Sequence, residues 1–283
     1  MISGKLMILT GELFKVKNIP AILAMLFLMT VIFLASFATV LPLQDPVALD
    51  TLNILSSPSR EHWLGTDELG RDLLSRIVYG AQISLGVAFA AVIIAGTIGT
   101  IVGVSIGFAG PRVEAALMRI IDLMISIPET FVAIIVLALF GGSLPTLILT
   151  IGFIYCPQFV RVIFDMTKSI RSRDYVLAAK SLGAGKLRLI RTEALPNLYS
   201  IIAVQTSVTF SFALLMEAGL SFLGLGVQPP ISSWGQMVGT LKNYIFINPL
   251  PIIFPACALL LVVLAVNLLG DFIQDILNPE LRK

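Results

Sequence analysis

The chain has 283 residues, of which 57% are hydrophobic and 13% charged, and its formal net charge is +2. One water-soluble core of this length cannot hide so much apolar surface, which excludes an ordinary soluble domain and makes a membrane protein the expected class. The small positive charge carries no nucleic-acid signal. The two cysteines, Cys156 and Cys257, lie in apolar runs and read as buried small hydrophobes rather than as a disulfide or metal pair.

Segment 1–19 carries Lys5, Lys15 and Lys17, and no charge follows between Asn18 and Gln44. Residues 20–41 are long enough to cross about 30 Å of hydrocarbon as a first transmembrane helix. That run is too long, and lacks the small-residue cleavage pattern, for a cleavable signal peptide. Residues 42–79 read as a loop in which Thr66 or Asp67 caps a short helix ending near Tyr79. Leu69, Leu73 and Ile77 would line one side of it, with Trp63 as an interfacial anchor. His62, the sole histidine, has no companions for a metal site.

Residues 80–270 hold five further spans. The second lies within Ile83–Phe108. The third runs Leu117–Phe140, with Asp122 near one end and Pro128 inside. Gly141-Gly142-Ser143 is a tight turn, after which the fourth span reaches about Phe164. The fifth covers about Leu198–Phe222 and the sixth about Leu250–Leu269, leaving 271–283 as a tail. An isolated lipid-facing strand would leave backbone groups unsatisfied, so the spans are helices and the expected fold is an all-α polytopic bundle of six. Gly99, Gly103 and Gly107 recur every fourth residue, which permits close helix approach within the chain or at a subunit interface. Glu217 is an acid well inside a span, where it points to a wet cavity or a polar partner; Asp122 and Glu129 lie nearer ends or kinks and read as structural.

Fifteen of the nineteen Lys and Arg residues fall on the side of the N-terminus; only Arg60, Arg71, Arg76 and Lys242 fall opposite. The positive-inside rule then puts both termini and segment 165–197 in the cytoplasm, and 42–79 outside. Within 165–197, Tyr175, Ala178, Ala179 and Leu182 follow the i, i+3, i+4, i+7 template of a small-residue helix face. Ser172 is the expected cap, and Asp174 sits in the first turn, where the helix dipole favours an acid. Gly183 and Gly185 break this helix. A second pattern, Leu187, Ile190 and Ala194, is expected to stop before Pro196. The two short helices at a glycine elbow form a knob that another protein could grip, or else a solvated interfacial loop. Gly183-Ala184-Gly185-Lys186-Leu187 is not a phosphate loop: Lys180 stands at the first glycine position, Leu187 replaces the magnesium-holding Ser or Thr, and no strand precedes it.

Ala178, Ala179, Gly183, Leu195 and Pro196 match the spacing of the cytoplasmic Glu-Ala-Ala…Gly…Ile-x-Leu-Pro signature of permease subunits in binding-protein-dependent ABC importers, which this segment resembles. Leu177 stands where the family often has Glu, and Glu193 where it often has Ile. The string from His62 to Asp72, the run from Gly219 to Pro230 and the closing Asn267-Leu268-Leu269-Gly270-Asp271 resemble the dipeptide, oligopeptide and nickel class of those permeases. Gln274 and Asn278 replace residues commonly Arg and Asp there.

The resemblance implies a type I ABC importer permease fold in a bacterial inner membrane. It also implies a homologous second permease, two ATP-binding subunits and an extracytoplasmic solute-binding protein as partners, alongside membrane lipid. ATP and magnesium would belong to the ATPase subunits, with no cofactor on this chain and no catalysis by it. Asp174, Tyr175, Ala178, Ala179, Leu182, Gly183, Leu195 and Pro196 become candidates for ATPase coupling, and Glu217 for the translocation path. An ion-driven secondary transporter is the rival reading, but internal repeats and paired midmembrane carboxylates with a basic partner are not found. A membrane scaffold without a transport path is the other; copurification with ATPase subunits separates it.

Overall fold

The computed structural model describes residues 19–277; Lys5, Lys15, Lys17, Asn278, Arg282 and Lys283 lie outside the described residues. Helix α1 (Ile19–Ser36) is apolar all round and buries only Ala21, Ala24 and Ala35, the pattern of a helix facing lipid on most sides. Helix α2 (Leu73–Gly107) has 35 residues, roughly 50 Å at the usual helical rise, and so overreaches a bilayer core. Two helices follow, α3 (Pro111–Ser126) and α4 (Glu129–Phe140), bent by 80°. Then come α5 (Leu144–Arg171), α6 (Asp174–Ser181), α7 (Lys186–Leu189), a π-helical turn (Ile190–Ala194), α8 (Leu195–Phe222), α9 (Trp234–Leu241) and α10 (Leu250–Leu277). Among the described residues five helical stretches are long and apolar enough to cross a membrane, and six are if the bent α3–α4 pair is counted as one span.

The most extensive helix pair is α2 with α5, and α8, α9 and α10 pack around it, with α1 against α10 and α2. The glycines explain the α2–α5 seam. A Cβ at Gly99 would stand 2.7 Å from that of Phe159, at Gly103 2.8 Å from the Val160 carbonyl oxygen, and at Gly107 2.8 Å from the Cβ of Thr167. The three glycines thus form a groove into which Phe159, Ile163 and Thr167, also spaced by four, are received. This seam lies inside one chain.

Several expected boundaries move. The first helix ends at Ser36 in turns rather than running to residue 41. No separate short helix occupies the 42–79 segment: Asp72, not Thr66 or Asp67, is the N-cap, and the residues to Tyr79 are the first turns of α2. The third span is broken at Ile127-Pro128, because the proline's effect on its predecessor holds Ile127 extended. The sixth helix continues to Leu277, so 271–277 are helical rather than tail. Cys156 is buried on α5, whereas Cys257 is exposed on α10.

Candidate functional site

The knob formed by α6 and α7 is a self-closed unit. Ser172 does not cap α6; it ends α5, its hydroxyl donating to the Ser169 carbonyl, and Arg173 takes the N-cap position with no side-chain bond. At the other end Gly183, at φ +86°, donates to the Lys180 carbonyl at 3.0 Å, and Ala184 donates to Ala179 at 3.1 Å. This is a Schellman closure: glycine in the left-handed region at the first position past the cap, with the 6→1 and 5→2 bonds satisfying the helix's orphan carbonyls. Ala184 and Ala179 both pack against the knob's apolar core, which supplies the usual accompanying contact.

That core is Val176, Leu189, Ala194 and Leu198, buried against Phe108 and Ile170. Helix α6 therefore turns Val176 inward, with Ala179 half-buried beside it and Leu195 half-buried at the start of α8. Asp174, Tyr175 and Ala178 face outward, and Leu182 is 89% exposed. Pro196 is exposed at the start of α8, directly after the π turn. The expected stop before Pro196 does not occur. A π turn re-registers the chain, with the Leu195 amide donating to the Ile190 carbonyl, and the helix runs on through the proline to Phe222.

The end of α5 that leads into the knob is tied to α2 and α3 by polar contacts. Arg171 donates to the carbonyls of Gly107 at 2.9 Å and Ala109 at 3.1 Å, placing a cation at the C-terminus of α2. Lys168 pairs with Glu114 at 2.7 Å. Arg161 pairs with Asp122 at 2.6 Å and Asp165 at 3.2 Å, so Asp122 is an ion-pair partner.

The opposite end carries a folded cap whose polar groups are buried. Asp72 receives the amide and hydroxyl of Ser75 at 2.8 and 2.7 Å, and its other oxygen lies 3.1 Å from His62 Nδ1. Asp67 receives Arg71 Nε at 2.7 Å and stands 3.1 Å from Arg76 Nε, a contact close in distance but not aligned as a hydrogen bond. Arg76, 1% exposed, also reaches Gln236 of α9 at 3.3 Å. Thr66 bonds the Asn53 carbonyl and accepts from Ser56. Burial raises the Glu68 carboxyl above its usual range, with the neighbouring Asp67 charge adding to the effect and Arg71 opposing it. None of this was visible as a set of partners in the sequence; only the clustered Asp67, Arg71, Asp72 and Arg76 signalled it.

Glu217 belongs to that same end. It is 0% exposed and receives Ser221 at 2.7 Å and Ser84 at 3.0 Å, while Ser84 accepts the Trp234 amide at 3.1 Å. Of the two expectations for Glu217, the geometry gives the polar partner: it joins α2, α8 and α9 from a closed interior and lines no open path. A different acid faces open space. Glu129 borders a groove of about 740 Å³ between the bent α3–α4 pair and α5.

Residues 99–283 match the family described as binding-protein-dependent transport system inner membrane component. The dipeptide transport system permease protein DppC of Alkalihalophilus pseudofirmus is 37% identical over 266 residues, covering 94% of this chain and 88% of the relative. The nickel transport system permease protein NikC of Escherichia coli is 35% identical, with 84% and 86% covered. The glutathione transport system permease protein GsiD of Pectobacterium atrosepticum is 34% identical, with 93% and 87% covered. Among solved structures, a chain of the inward-facing MetNI methionine ABC transporter superposes with a TM-score of 0.62 at 18% identity, over 73% of this chain and 98% of that one.

Proposed function

Since the chain belongs to the family of binding-protein-dependent transport system inner membrane components, it is a permease subunit of an ABC importer, and we propose that it passes small peptides and couples their passage to ATP hydrolysis through the α6 knob. The relative named for dipeptide transport supports the cargo class. The assembly would contain a homologous second permease, two ATP-binding subunits that carry ATP and magnesium, and an extracytoplasmic binding protein. The chain sits in a bacterial inner membrane with both termini and the knob cytoplasmic, as the basic-residue asymmetry supports. Cysteines replacing Ser59 and Ser172, both exposed, should label from opposite faces of intact membranes; labelling from one face overturns the orientation.

The observation that carries the coupling role is the outward face of α6. Tyr175, Ala178 and Leu182 leave an apolar, small-residue surface on a knob whose own core is already filled by Val176 and Leu189. Such a face fits a groove on a partner subunit. Nucleotide binding that favours one state of the ATPase pair would then tilt the knob and, through α5 and its Arg171 link to α2, the spans.

Ala178→Asp tests this, and more cleanly than a change at the half-buried Ala179. An exposed Asp costs the isolated chain only helix propensity, about 0.7 kcal/mol. Against a partner groove it buries an unpaired charge. In the reconstituted complex, stimulation of ATP hydrolysis by loaded binding protein and peptide uptake should both vanish while the permease pair stays inserted. Parental stimulation and uptake would remove the knob from the coupling path.

A further inference from the structure

We propose that Glu129 is a specificity-determining residue of the translocation path: a midmembrane carboxylate that receives the positively charged group of the permeating solute. The inference rests on the permease reading above and adds which face of the chain, and which atom, meets the cargo.

Depth is the first argument. The turn at Gly141–Ser143 lies at the cap end, where Gly142 packs against the carbonyls of Leu225 and Gly226. From Phe140 back to Glu129 along α4, and from Leu144 on to Tyr155 along α5, the helical rise gives roughly 17 Å each way. The two side chains do meet, with the Tyr155 hydroxyl 3.4 Å from Glu129 Oε1. Both therefore lie near the centre of a hydrocarbon layer about 30 Å thick.

The second argument is that this face does not fit lipid. The chain breaks by 80° immediately before Glu129, and broken helix at membrane depth is tolerated only against protein or a water-filled cavity. A carboxylate at that depth obeys the same rule. Yet Glu129 is not closed off as Glu217 is: it is half-buried and borders the groove, together with Thr146, Thr150 and Gln158.

The third argument is the carboxylate's incomplete satisfaction. Tyr155 is its one hydrogen-bond donor among the described residues, and the same hydroxyl lies 3.3 Å from the Phe212 carbonyl oxygen. One hydroxyl proton serves one acceptor at a time. Among the described residues no Lys or Arg borders the groove, and Glu129 is the one formal charge on its lining. A small peptide presents an α-ammonium, which complements it in sign and, with three donors, in hydrogen bonding. The neutral hydroxyls and amide around Glu129 would replace part of the water that the solute sheds.

The test reads charge selection without needing the natural cargo. In the complete importer with Cys156 and Cys257 replaced by Ala, a single Gln158→Cys reporter, at a half-buried position on the groove, is exposed to two methanethiosulfonate reagents of similar size, one carrying a trimethylammonium and one a sulfonate. With Glu129 in place, the cationic reagent should react faster, by on the order of tenfold relative to the ratio for a free thiol, as a cleft of one sign concentrates counter-ions. Glu129→Gln should bring the ratio down to the free-thiol value, while Glu129→Asp keeps most of the preference. A thiol at position 158 that reacts with neither water-borne reagent would show that the groove faces lipid or a partner, overturning the path assignment. A reactive thiol with a ratio unmoved by Glu129→Gln would overturn the role of Glu129 alone. Loss of uptake in Glu129→Gln with the ratio unchanged counts against the proposal as well, since it marks a structural acid at the start of α4. None of these outcomes bears on whether the chain is a permease, which the Ala178→Asp experiment addresses separately.

Discussion

At one end of the bundle Arg76 is 1% exposed and held between Asp67 and Gln236; at the other Leu182 is 89% exposed and stands outside the knob's core. The cap end spends its polarity inward. His62, Asp67, Arg71, Asp72 and Arg76 are all buried and bind one another, so residues 42–72 are fixed to α2 and α9 from within the chain. The knob end does the reverse, burying four small and branched apolar residues and leaving an apolar face outside. Buried ion pairs give geometry at little net stability, because desolvation offsets the attraction. The cap therefore reads as a self-sufficient lid on the helix ends, and the knob as a half-made interface whose rigidity comes from backbone closure at Gly183.

The comparison breaks most readily at the cap. Arg76→Met keeps length and apolar bulk but leaves Asp67 and Glu68 with Arg71 alone. Removing one member of a buried charge set costs about 3–5 kcal/mol. For a chain of this size the unfolding midpoint of the purified complex should fall by roughly 10 °C. Binding of ATPase subunits per folded permease should be unchanged, because the knob shares no contact with the cap. An unchanged midpoint would mean that the cap is not held by this network.

How far each end was legible follows from the range of its interactions. The spans were readable because hydrophobic length is a local property. So was the elbow, because a glycine past a short amphipathic pattern closes a helix using only neighbours in sequence. What escaped was non-local. The pattern Leu69, Leu73, Ile77 looked like an interfacial helix, and nothing local reveals that Asp72 starts a helix of 35 residues instead. Glu217 was visible as an anomaly, but its partners Ser84 and Ser221 lie 133 and 4 residues away, and only the first is beyond sequence reading. Pro128 signalled a kink without its size. Pro196 misled, because the π turn before it has no sequence mark.

A second prediction sharpens the knob side. A Cβ at Gly183 would meet nothing within 4 Å, so substitution there costs backbone strain rather than a clash. In the left-handed region a β-branched residue pays most, about 1–2 kcal/mol, and Asn much less. Gly183→Val should lower ATPase-subunit copurification and uptake together while insertion and the unfolding midpoint change little. Gly183→Asn should sit near the parent. Equal loss in both variants would point to a contact made by the glycine itself rather than to its φ of +86°.

The smallest expected effect is a difference in pH response between the two ends. Glu68 Oε1 receives Arg71 at 2.8 Å, but Oε2 is buried without a hydrogen-bond partner, and burial holds the carboxyl above its ordinary range. The folded cap therefore keeps its proton to higher pH than the unfolded segment does. Below the unfolded value both forms are protonated and nothing is lost. As pH rises from there through the raised folded value, the unfolded segment gains by releasing its proton first, and the cap weakens. Hydrogen exchange of residues 55–72, corrected for the intrinsic pH dependence of exchange, should show a slightly more protected cap in mild acid than at neutral pH. Glu68→Gln should flatten that slope, because the amide cannot ionise and supplies a donor where the orphaned oxygen stood. Residues 176–190 serve as the internal reference, since the knob's core holds no titratable group. A slope in the cap that survives Glu68→Gln would remove Glu68 as its source and overturn this reading of the cap.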